Sequence, residues 1–152
     1  MQAQTLNDVI QQTGVLHQTL ARHLRSGARD DGDSRDGLLR EYLAQSERNL
    51  SALVDEHGRD APERALNTWC YEYLRAHPIE RLADGRALER LTRDEALLQD
   101  VMTVHQELIA LYRRLQARAE TAPTRALIND IRELEENEAR RMAQGANRLF
   151  EL

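Results

Sequence analysis

Two histidines and three glutamates interrupt inward-facing stripes that are otherwise leucine and isoleucine, and all five are of a type that ligates metals or carries protons. They are His17, Glu47, His105, Glu135 and Glu138. Glu135 and Glu138 are spaced i, i+3, so a single helical face presents both carboxylates to one point. Two imidazoles and three carboxylates converging from four helices would supply ligands for iron, manganese or zinc. A metal-free reading competes with this one. Isolated buried charges are costly, on the order of several kcal/mol each, and protonated His17 and His105 would nearly balance the carboxylates in a hydrogen-bonded network. Glu47 sits one position off the strictest inward seam, which Ser46 occupies, so an outward reach toward solvent or Arg48 is also open to it.

The elements that must position these residues are helices. The chain has 152 residues, enough for one domain, with 31% charged and 41% hydrophobic residues. Aromatics are only 4%, β-branched residues are sparse, and Leu and Ala are abundant, a balance that favours helix over strand. A first helix starts near Thr5, capped by its hydroxyl and favoured by Asp8, with a stripe of Leu6, Val9, Ile10, Leu16, Leu20 and Leu24 on which His17 lies. A second spans about 36–57 and stops at Gly58. Thr92 to Glu95 reads as a capping box opening a third long helix, whose seam includes His105 and Tyr112. After Pro123 a fourth runs to the C-terminus with Ile131, Glu135, Glu138, Met142 and Gly145 inward. The organisation expected is therefore all-α, an antiparallel four-helix bundle: one hairpin over 5–57, a long crossover with short helices over 58–91, and a second hairpin over 92–150.

The two hairpins repeat. At an offset of 88 residues Ile10 falls on Leu98, Leu43 on Ile131 and Val54 on Met142. The same offset places His17 on His105, Glu47 on Glu135 and Leu50 on Glu138. Apolar agreement is cheap in a Leu-rich chain, so the polar matches carry the inference.

Two hairpins joined by one crossover, with one ligand-type residue on the first helix of each and a Glu-x-x pair on the second, resemble the ferritin-like superfamily and its rubrerythrin branch. The segment Glu135-Glu136-Asn137-Glu138-Ala139-Arg140 is the closest local likeness. The resemblance implies a di-iron or di-manganese centre held by a Glu from each first helix and Glu-x-x-His from each second. This chain has His17 and His105 in place of Glu, Glu47-x-x-Leu50, and Glu135-x-x-Glu138. Two functional readings follow: a non-enzymatic structural or interaction protein with a diverged polar centre, or an iron or manganese protein acting in metal handling or oxidative stress.

Other classes are disfavoured. The net charge is −5, and all 21 basic residues are arginines interspersed with Asp and Glu, without the basic stripe that a nucleic-acid binder carries. No apolar run approaches the roughly 18 residues of a membrane span, and the first five residues lack the basic and apolar regions of a leader. Cys70 stands alone, which fits a cytoplasmic address and reads as a small buried residue rather than a nucleophile. The stretch Asp31-Gly32-Asp33 fails as a calcium loop, because Arg35 and Tyr42 fall where oxygen ligands are needed. No phosphate loop, zinc-protease motif or Ser-His-Asp arrangement is present. Trp69, Tyr71 and Tyr73 in the crossover are expected to cover the bundle side or to join two copies in a homodimer.

Overall fold

Helix α1 (Leu6–Ala28) begins where Thr5 and Asp8 satisfy each other: the Asp8 amide donates to the Thr5 hydroxyl at 3.2 Å and the Thr5 amide to the Asp8 carboxylate at 3.2 Å. The computed structural model describes residues 3–28, 34–93 and 95–151, so Asp31-Gly32-Asp33 lies outside the described residues. Those residues are all-helical. After α1 come α2 (Arg35–Asp60), α3 (Glu63–Leu66), α4 (Tyr71–Ala76), a 3-10 turn over Ile79–Ala83, α5 (Gly85–Arg90), α6 (Leu97–Arg118) and α7 (Ala122–Phe150). They contain no strand, only an isolated bridge between Thr5 and Trp69 that ties the crossover to the start of α1.

Contacts between the long helices are ordered. Ser51 donates to the Gly14 carbonyl at 2.9 Å, His17 meets Glu47, and Arg25 faces Glu41 at 3.7 Å, so the pairs climb α1 as they descend α2. Arg113 with Glu136 and Arg132 with Gln116 do the same for α6 and α7. The predicted stripe of α1 is buried throughout, and Leu43, Leu50, Val101, Leu108, Ile128 and Ile131 join it in one apolar core.

Two local expectations are corrected. Gly58 does not stop α2, which continues to Asp60. The stop comes from Pro62, which drives the preceding Ala61 into extended backbone, φ −77°, ψ 150°. The Thr92 capping box does not open α6 either: its hydroxyl donates back to the Glu89 carbonyl at 2.6 Å, and the helix begins at Leu97 after Ala96 takes a left-handed φ of 56°. The cause is upstream. Leu91 is fully buried, and its carbonyl accepts at 2.6 Å from Arg40, itself fully buried on α2, so the chain must turn before α6 can start.

Gly145 explains how α2 and α7 approach. A Cβ there would lie 2.0 Å from the Tyr42 phenol oxygen, which donates to the Arg141 carbonyl at 3.0 Å. Gly145→Ala is expected to destabilise the protein by about 1–3 kcal/mol in urea unfolding, through overpacking against a ring that cannot retreat without losing its hydrogen bond. In a Tyr42→Ala background the same change should be close to neutral.

Candidate metal centre

Each of the four long helices sends one ionisable side chain to the same interior point: His17 from α1, Glu47 from α2, His105 from α6 and Glu135 from α7. All four are buried, with His105 only 1% exposed and the others 0%. His17 Nδ1 lies 2.7 Å from Glu47 Oε2, and its Nε2 lies 2.6 Å from Glu135 Oε1. His105 Nε2 is hydrogen-bonded to Glu47 Oε1, and its Nδ1 faces Glu135 Oε2 at 3.5 Å. The two imidazoles stack with centroids 5.2 Å apart and planes 22° apart. The result is a ring of three hydrogen bonds and one longer ion-pair edge. Each carboxylate spans both imidazoles, one at the Glu47 edge and one at the Glu135 edge.

Proton counting narrows the state of this ring, and the balance of charge and burial selects it. Every nitrogen faces a carboxylate oxygen across one of four edges, and an edge without a proton would set two lone pairs against each other. Two imidazolium ions with two carboxylates supply the four protons at no net charge, as would two neutral imidazoles with two protonated carboxyls, and the electrostatics decide between them. Burial alone pulls His17 down, but the Glu135 and Glu47 carboxylates outweigh it and raise its pKa to about 10. Burial is likewise outweighed at His105, where Glu47 is the largest opposing charge and the pKa rises to about 9. For Glu47, burial pushes upward and the two histidines pull it down to about 2. Glu135 is lowered for the same reason, against the same burial.

Four of the five residues singled out in the sequence meet here, and Glu138 does not. It is half-buried, and its Oε1 lies 3.3 Å from Arg141 one turn along α7. Leu50, its counterpart 88 residues earlier, is fully buried in the apolar core. Glu47 does not reach out toward Arg48, which instead donates to the Gln45 amide oxygen at 2.6 Å. The neighbouring layer holds a pair that the sequence did not single out as polar. Tyr112 and Thr13 share a hydroxyl hydrogen bond of 2.7 Å, and Thr13 also donates to the Val9 carbonyl at 2.8 Å. Burial raises the Tyr112 pKa, keeping it a neutral phenol. The signal that was available was a threonine on an apolar stripe one turn before His17. Burial also pushes Cys70 up to about 11, away from thiolate chemistry.

The donor set can be tested against a metal. Ligand atoms of His17, His105 and Glu135 lie within 4.8 Å of one another, and His105 Nδ1 and Glu135 Oε2 lack a hydrogen bond. A cation there requires nitrogen lone pairs, which the two imidazoles present only after releasing protons. No known protein family, curated protein or solved structure matches this chain.

The ring sets a pH profile of stability. Above pH 6.5, unfolded histidines lose the protons that native His17 and His105 keep to about 10 and about 9, so stability falls as pH rises through that window. Below 4.5, unfolded glutamates take up protons that native Glu47 refuses down to about 2, so stability falls as pH drops. Urea midpoints measured across this range should peak between pH 4.5 and 6.5. A midpoint that climbs from pH 6.5 to 9 would contradict the protonated ring.

Proposed function

We propose that the four long helices form an antiparallel four-helix bundle of the ferritin-like kind, and that the His17–Glu47–His105–Glu135 ring takes the place of its metal centre. On this reading the protein is a non-enzymatic structural or interaction protein of the cytoplasm. The observation that carries it is that all four imidazole nitrogens face carboxylate oxygens in a ring sealed from solvent. A ring of this kind orders four helices without a cofactor, and no exposed member offers itself to a substrate. No helix among the described residues is long and apolar enough to cross a membrane.

Metal analysis of protein purified without chelators is the test. Iron, manganese and zinc should be far below one per chain, and added iron or manganese should leave the melting temperature unmoved. Glu135→Ala should cost about 3–5 kcal/mol in urea unfolding, because it leaves two buried imidazolium ions to share the single Glu47 carboxylate. The second reading, an iron or manganese protein of metal handling or oxidative stress, is favoured by the convergence of His17, His105 and Glu135. Stoichiometric metal that is lost in the Glu135→Ala protein would establish it.

The partner on this reading is a second copy of the chain. Trp69 is 61% exposed and packs at 5.6 Å against Tyr71 in the crossover. Such an aromatic pair supplies the large apolar area that interface centres use. Sedimentation should show a dimer that Trp69→Ala converts to monomer; a monomeric wild type removes this element and leaves the ring untouched.

A further inference from the structure

The outer side of α1 and α2 carries a groove of about 490 Å³, within the roughly 300–1,000 Å³ of small-molecule sites. Matching helical faces build it. Ala21, Arg22 and Arg25 line it from α1, and Arg48, Ala52 and Asp55 from α2. The alanines leave room between the longer side chains, and three arginines line one cleft of a chain whose net charge is −5.

These arginines stand together in one cleft and, like Arg114, Arg125 and Arg140 elsewhere on the surface, lack a close carboxylate among the described residues, whereas others are ion-paired. Arg113 and Arg132 share Glu136, at 2.8 and 2.9 Å, and Arg141 pairs with Glu138. In the groove, Arg22 donates to the Thr19 hydroxyl at 3.3 Å and the half-buried Arg48 to the Gln45 amide, both neutral acceptors. Arg25 has a carboxylate, Glu41, only at 3.7 Å with both side chains more than half exposed, a pairing worth little. The charge of the cluster is thus largely uncompensated. Asp55 lies two turns from Arg48 along α2, roughly 10 Å, so the groove is cationic at one end and anionic at the other.

We propose that this groove binds a small organic oxyanion. Its phosphate or carboxylate sits among Arg22, Arg25 and Arg48, its short apolar body lies over Ala21 and Ala52, and it carries no second anion at the Asp55 end. Guanidinium forks match both head groups in a bidentate way, and the neutral contacts they now make are weaker than the charge-assisted ones a ligand would offer.

Calorimetric titration at matched ionic strength with hexyl phosphate, heptanoate and hexane-1,6-bisphosphate tests this. Hexyl phosphate or heptanoate should bind one per chain with Kd at or below about 1 mM, and whichever binds identifies the head group. Arg22→Gln and Arg48→Gln should each weaken binding by about tenfold or more, with circular dichroism and urea midpoint unchanged, since both side chains reach solvent. The bisphosphate should bind more weakly than hexyl phosphate, and Asp55→Asn should close that gap. Saturable binding by neither probe, or a smaller loss in both arginine variants, overturns the proposal. A bisphosphate that binds as tightly as hexyl phosphate overturns its one-ended polarity.

Discussion

Four ionisable side chains sealed from water have to neutralise one another, and this requirement ties the four long helices together. One residue of slip rotates a helix by about 100°, which would carry its member out of the ring and strand the opposing charges at several kcal/mol or so. Apolar packing makes no such demand. Leucine stripes bury similar area in several registers because the hydrophobic effect is non-directional. The ring therefore selects one register from among those the stripes permit, much as a buried polar residue sets register in coiled coils.

Other directional contacts agree with that register at different heights. The Thr13–Tyr112 hydrogen bond joins α1 to α6 next to the ring, and the Tyr42 ring over Gly145 joins α2 to α7 beyond it. Arg40, fully buried and bonded to the Leu91 carbonyl, pins the end of the crossover against α2. At the other end the bridge from Thr5 to Trp69 pins its middle to the start of α1. The crossover thus returns the chain to α6 between two fixed points, and His105 is delivered to the ring by a helix whose starting position is already determined.

Much of the centre was legible because the polar exceptions repeat. His17 with His105 and Glu47 with Glu135 share the 88-residue offset, and the ring is built from those two pairs, one stacked and one flanking. The third match in the offset was misleading. Glu138 shares a broad helix face with Glu135, yet Arg141 one turn on draws it outward, while Leu50 at the equivalent position simply packs. Glu47 shows the reverse. Next to Ser46 on the strict seam it was ambiguous from spacing, and the attraction of two imidazolium ions resolved it inward, with the Ser46 hydroxyl turning back on the Tyr42 carbonyl at 2.9 Å. Capping behaved likewise: Thr5 and Asp8 cap as written, whereas Thr92 is overruled by the anchored Leu91.

The all-helical class, the apolar stripes and five ligand-type residues out of place on them could be read from the sequence, because helical periodicity and local capping depend on neighbours within a turn or two. Only the tertiary structure decided which imidazole nitrogen meets which carboxylate oxygen, that Arg40 is buried, and that Glu138 is excluded. Those outcomes depend on distances between side chains 30 to 118 residues apart, and on the balance of desolvation against pairing once the helices have met.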